Sequence, residues 1–194
     1  SKRMGIPVFG PDINESNYTF TINKSGAIRF GLGAVRGLGS GPIEEIVNLR
    51  KDNPFTSVFD FAKRANLRLC NKRVFESLIY AGGLDSLNNE IHRSQYFVQE
   101  GASRPFVEQV ISYGRNYQDQ LGKRQMVIFD MSDEVSTPEP KIPFSEPWSS
   151  VYRLNKEKEV VGVFLSGHPL DDFRIEIESF CKGDIRILSE LEEH

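Results

Sequence analysis

Phe30-Gly31-Leu32-Gly33-Ala34-Val35-Arg36-Gly37-Leu38-Gly39-Ser40-Gly41-Pro42-Ile43-Glu44-Glu45-Ile46-Val47 is the stretch that decides the fold. It reads as a short apolar helix, a glycine hairpin and a second helix opening on proline, with Ile43, Ile46 and Val47 at helical spacing. Gly37, Gly39 and Gly41 are expected to take positive φ and to let a ligand approach the backbone without a Cβ in the way. Pro42 suits the first turn of a helix, where its missing N–H costs nothing, and Ser40 or Gly41 is the expected cap. The helix N-terminus so formed presents unpaired N–H groups and the positive end of the macrodipole, and a phosphate is its natural ligand. Such a site holds a nucleic-acid backbone whatever its sequence, because phosphate contacts position and base contacts specify. Taken alone, the same hairpin is equally a tight turn between packed helices.

Working outward, a second unit follows at residues 69–87. Asn71 is the expected N-cap, Val74, Phe75, Leu78 and Ile79 form an apolar stripe, and Gly82-Gly83 stops the helix. A second hairpin is expected to lead into a helix holding Ile91, Phe97 and Val98. Two such units bury each other's apolar faces better than one can alone. Phe55, Phe59 and Phe61, at helical spacing between them, are read as core rather than as base-stacking platforms. Ahead of the hairpin, residues 18–22 and 27–30 alternate around Asn23-Lys24-Ser25-Gly26, the signature of a β-hairpin.

The chain has 194 residues, 39% hydrophobic and 26% charged, the composition of a globular protein of one or two compact units. No apolar run reaches membrane-spanning length, and no signal peptide is visible. Its two cysteines, Cys70 and Cys181, are too few for a disulfide framework and lack zinc spacing, which suits a reducing compartment. The net charge of −3 is a poor global mark of a nucleic-acid binder, but its distribution is uneven. Residues 50–73 carry seven basic side chains, Arg50, Lys51, Lys63, Arg64, Arg68, Lys72 and Arg73, against Asp52 and Asp60. Residues 130–147 reverse the sign and hold four prolines, so an exposed linker is expected there, and duplex binding falls to the first half.

Arg3-Met4-Gly5-Ile6, Pro11-Asp12-Ile13-Asn14, Ile28-Arg29-Phe30-Gly31-Leu32-Gly33-Ala34-Val35, Gly37-Leu38-Gly39 and Asn71-Lys72-Arg73-Val74 with Ala81-Gly82 occur in an order that resembles the bacterial replicative C-family DNA polymerases, in their α subunit. The resemblance resumes at Glu157-Lys158-Glu159-Val160-Val161-Gly162 and at Leu165-Ser166-Gly167-His168-Pro169-Leu170, and is absent from residues 93–120. It implies a mainly α, α+β fragment with tandem helix-hairpin-helix units. Residues 1–30 would be the end of the fingers with a β-hairpin, 31–120 the DNA-binding domain, 121–150 a clamp-binding peptide and acidic linker, and 151–194 a segment leading to an oligonucleotide-binding domain beyond His194.

Gln125-Met126-Val127-Ile128-Phe129 resembles the ligands of sliding clamps: Ile128 and Phe129 would fill an apolar pocket while the Gln125 amide fixes register. In the family the internal clamp-binding peptide lies between the helix-hairpin-helix region and the Ser-Gly-His-Pro segment, where this word also stands. The segment is expected to be exposed and extended.

No catalytic set emerges from the residues. Family polymerases transfer phosphoryl groups with palm-domain aspartates and two metal ions, and no matching aspartate set is present. Asp171-Asp172 reads as a solvated turn, and His168 has no spaced partner that would make it a general base. Mg2+ is therefore expected in the palm domain of the whole polymerase and no cofactor or metal in this piece. The expected partners are double-stranded DNA through Gly37, Leu38, Gly39, Ser40, Gly41, Lys72 and Arg73, the sliding clamp, and other replicase subunits in the cytoplasm, with no membrane. Two alternatives remain from the residues: a free-standing helix-hairpin-helix DNA-binding or repair protein, and a helical protein-interaction domain.

Overall fold

A computed structural model describes residues 7–23, 25–87, 91–126 and 137–170. Three two-residue strands come first, β1 (Val8–Phe9), β2 (Thr21–Ile22) and β3 (Ile28–Arg29). β3 is central, parallel to β1 and antiparallel to β2, with Val8 opposite Ile28 and Thr21 opposite Arg29. The β2–β3 turn is closed by Asn23, whose Oδ1 accepts the N–H groups of Ser25 and Ala27, and by Gly26 at φ 78°.

Helices follow: α1 (Ser40–Arg50), α2 (Val58–Arg64), α3 (Lys72–Ala81), α4 (Phe106–Met126) and α5 (Ser150–Val161). Caps define α2 and α3. Ser57 accepts from Asp60 N–H, and Asn71 accepts from the N–H groups of Arg73 and Val74. Gly82, at φ 78°, stops α3 as the pattern predicts.

The core lies between α2, α3 and α4. Phe61 stacks on Phe75 at 4.8 Å, Phe55 meets Phe61 edge-on, and Phe59 meets Phe106 and Tyr113 edge-on. All three phenylalanines of the 55–61 segment are buried, which bears out their reading as core. Gly114 lets α4 approach α2 closely: a Cβ there would stand 2.7 Å from the Ala62 carbonyl carbon.

Three expectations are corrected. Ahead of the hairpin there is one 310 turn, Leu32–Ala34, not a helix. The N–H groups of Leu32 and Gly33 donate to the carbonyls of Asn17 and Tyr18, which ties this segment to the loop before β2 and leaves no helical ladder to extend. After the second hairpin stands a 310 turn, Arg93–Phe97, in place of a helix through Val98. Val98 is extended, and the chain then reverses at Gly101 (φ 57°) before α4. Finally, Gln125 and Met126 belong to the last turn of α4, so the 125–129 word starts on a helix rather than in an extended segment; residues 127–129 lie outside the described residues.

Residues 137–149 hold no helix or strand, as the prolines predict, yet they are docked on the helices. Thr137 donates to Gln120, Glu139 lies 3.6 Å from Lys63 Nζ, and the buried Pro143 accepts from Gln95 Nε2 at 2.6 Å. Trp148 stacks on Tyr80 and Phe97. α5 in turn packs on α3 and shares the helical unit.

Candidate nucleic-acid interface

The hairpin is built by contact with α3. Gly37 has φ 99°, and a Cβ on it would lie 2.5 Å from Ser77 Oγ and 3.3 Å from Arg73 Nε. Left-handed backbone and close approach both demand glycine here. Gly39 and Gly41 differ from the expectation. Gly39 is extended, at φ −82° and ψ 175°, and is itself the N-cap of α1, while Ser40, Gly41 and Pro42 form the first turn. Neither Ser40 nor Gly41 is the cap, and positive φ in the hairpin belongs to Gly37 alone.

Leu38 anchors rather than donates, since its side chain is buried and its N–H is bonded to the Val35 carbonyl at 3.2 Å. The first ladder bond of α1 runs from Ile43 N–H to the Gly39 carbonyl. Ahead of it, the N–H groups of Gly39, Ser40 and Gly41 have no acceptor among the described residues. Three adjacent amide donors therefore stand at the positive end of an 11-residue helix. Arg36 and Arg73, both exposed and neither in an ion pair among the described residues, flank them.

Most of the basic excess at 50–73 serves the fold. Arg50 is buried and donates to the carbonyls of Ile13 and Ser16, each at 2.5 Å; burial pulls its pKa down against the opposing pull of Asp12 and Glu15. Lys63 sits over the rings of Tyr113 and Tyr117. Arg64 pairs with Asp60 and donates to the Leu49 and Asn53 carbonyls. Lys72 is held by Glu108 at 2.7 Å and Glu76 at 3.6 Å, and the bond to Glu108 raises the lysine and lowers the glutamate. Lys51, Arg68 and Arg73 remain without carboxylate partners among the described residues. The structure thus brings Arg73 to the glycine hairpin and leaves Lys72 engaged with acids.

Sequence reasoning missed the buttress behind the hairpin. The Arg36 N–H donates to the Val160 carbonyl of α5 at 2.7 Å. One turn earlier on α5, Glu157 is 1% exposed and accepts from Arg93 Nη1 at 2.8 Å, from the Ser166 hydroxyl at 2.9 Å and from the Ser166 N–H at 3.1 Å. Arg93 also forks onto Asp85. Burial pulls the Arg93 pKa down, but its bonds to the two acids outweigh that and leave it above its ordinary value. Ser166 therefore holds the Ser-Gly-His-Pro turn to α5, and His168 Nδ1 accepts the Leu170 N–H at 3.2 Å. Nothing in the sequence distinguishes Glu157 from the charged residues around it, so no local pattern signalled this clasp.

Among the described residues no group of three or more His, Cys, Asp or Glu side chains is placed to hold a metal ion, and no helix is long and apolar enough to cross a membrane. Asp171, Asp172, Ile128 and Phe129 lie outside the described residues.

Comparison with known proteins agrees with this geometry. Residues 5–96 match the model of the helix-hairpin-helix motif. Over 181 residues the chain is 36% identical to the DNA polymerase III subunit alpha of Vibrio cholerae, covering 92% of this chain and 15% of that protein. The same subunit of Escherichia coli K12 is 32% identical over 182 residues, 93% of this chain and 15% of the relative, and that of Pseudomonas aeruginosa 30% identical over 204 residues, 95% and 16%. The chain spans about a sixth of the length of these relatives. It is a relative of the DNA polymerase III alpha subunits, corresponding to a fragment of them that carries a helix-hairpin-helix motif.

Proposed function

We propose that this chain is the part of a bacterial replicative DNA polymerase that holds duplex DNA by its phosphate backbone and ties the polymerase to its sliding clamp. The observation that carries the DNA half is the row of unbonded N–H groups at Gly39, Ser40 and Gly41, beside Arg36 and Arg73. Amide donors and a helix dipole attract a phosphate without reading bases, so binding is independent of sequence and weakens steeply with salt.

Ser40→Pro tests it cleanly. Ser40 is the first residue of α1, where proline is tolerated, and Gly39 already has the extended backbone that a following proline requires. The substitution removes one amide donor and leaves the helix intact. A hydrogen bond to a charged group is worth about 1.5–3 kcal/mol, so duplex affinity falls about tenfold or more with stability unchanged. Undiminished binding by Ser40→Pro, or binding that depends strongly on base sequence, refutes the amide cradle.

The clamp half rests on the word Gln125–Phe129, its position between the hairpin region and the Ser-Gly-His-Pro turn, and the placement of Gln125 at the end of α4. Ile128 and Phe129 are its apolar anchors and Gln125 fixes register, and tethering raises the effective concentration of polymerase at the clamp. Replacing Gln125 and Phe129 together by alanine abolishes clamp capture and leaves duplex affinity unchanged; capture retained by that variant sinks the assignment. In this reading the Mg2+-dependent phosphoryl transfer belongs to a palm domain of the whole polymerase, acting with other replicase subunits in the cytoplasm. The chain alone then extends no primer, and template-dependent extension by the purified chain overturns that division of labour.

A further inference from the structure

A groove of about 660 Å³ runs between the 66–71 turn and α4, lined by Asn66, Leu67, Arg68, Asn71, Arg115, Gln118 and Asp119. Arg68 and Arg115 are both exposed, and neither guanidinium has a carboxylate partner among the described residues. They come from positions 47 residues apart, one in the basic segment and one on a helix outside the stretch that matches the helix-hairpin-helix model. Two neighbours connect the groove's lining to the hairpin. A Cβ on Gly41 would touch Leu69 at 3.8 Å, next to Arg68, and Asn71 both lines the groove and caps the helix that carries Arg73.

We propose that the DNA backbone held at Gly39–Gly41 continues past Leu69 into this groove, where Arg68 and Arg115 take further phosphates of the same duplex. The inference rests on the duplex-binding reading above and extends its footprint to α4. The charge on this side suits a polyanion: Arg50, Lys63, Arg64 and Lys72 are tied to carboxylates, carbonyls or rings, whereas Arg36, Arg73, Arg68 and Arg115 have no carboxylate partner among the described residues. The remaining lining is uncharged amide and Leu67, with one acid, Asp119, a turn beyond Arg115 on α4. Arginine forks onto phosphate bidentately, so two exposed guanidinium groups add two salt-sensitive contacts.

The test titrates the full chain with two 20-base-pair duplexes of unrelated sequence over a range of salt concentrations. Arg68→Gln with Arg115→Gln is expected to weaken both duplexes equally, by about tenfold at low salt, and to reduce the slope of log affinity against log salt by about two. A control that removes the same charge elsewhere, Lys141→Gln with Arg153→Gln, leaves the slope unchanged. Thermal melting of each variant confirms that the exposed substitutions leave the fold intact. If Ser40→Pro weakens binding but the arginine pair does not, the groove is not on the path and the hairpin reading stands. If the control pair lowers the slope equally, the effect is net charge alone and the proposal fails. If the parent chain binds neither duplex, both readings fall together.

Discussion

Replacing Gly37 by alanine is the sharpest perturbation of the hairpin. Its φ of 99° is a conformation that L side chains rarely adopt, costing about 1–2 kcal/mol for a non-glycine residue. The new Cβ would also stand 2.5 Å from Ser77 Oγ, inside any real contact, and overpacking of this kind costs about 1–3 kcal/mol. Together they lower stability by about 2–5 kcal/mol, which moves the urea midpoint down by about 1–2 M at unchanged slope. The steric part is separable. With Ser77→Ala in place the next atom of that side chain is its Cβ at 3.5 Å, an ordinary contact, so the double variant regains about 1–2 kcal/mol in a double-mutant cycle. Gly39→Ala is the contrast, because its φ is −82° and a Cβ there meets nothing within 4 Å; its effect stays below about 1 kcal/mol. The reasoning is refuted if Gly37→Ala unfolds at the parent urea concentration, if Ser77→Ala gives no recovery, or if Gly39→Ala is the more damaging change.

Gly114→Ala presses a methyl group onto the Ala62 carbonyl of α2, so it destabilises by about 1–3 kcal/mol in urea unfolding despite the better helix propensity of alanine. Cys70 has its thiol pushed up by burial to about 12 from 9.0; its contribution to stability is constant below pH 9 and declines as pH rises toward 12, because in that window its unfolded thiol ionises while the folded one stays protonated, a decline that Cys70→Ala removes from the pH profile of urea unfolding. In a Cys181→Ser background, Cys70 accordingly resists alkylation at pH 8 until the protein unfolds, and rapid labelling of the native chain would contradict its burial.

What the sequence made legible was local. Asn71 as cap, Gly82 as stop and the Asn23–Gly26 turn follow from residues within one turn of each other, the burial of Phe55, Phe59 and Phe61 from a pattern seven residues long, and all stand in the structure. The glycine hairpin was found, but which glycine needs positive φ depends on how it meets Ser77 of α3, 40 residues away, and no local pattern carries that. Charge misled for the same reason. Lys72 looks free beside Arg73 until Glu108 arrives from α4, and Arg50 looks solvated until the carbonyls of Ile13 and Ser16 enclose it. The described part of the proline-rich segment, from residue 137 on, is irregular as read, but it is docked rather than exposed, and its attachment through Pro143, Glu139 and Trp148 depends on partners far along the chain.

The bond from Arg36 N–H to the Val160 carbonyl makes the amide cradle a mechanical neighbour of α5. Three residues before Val160 on the same helix, Glu157 clasps Arg93 and Ser166, so the hairpin and the 163–166 turn share one support. α5 thus acts as a strut between two ends of the fold: one buried carboxylate and one backbone bond fix the 163–166 turn and the glycine hairpin to the same helix.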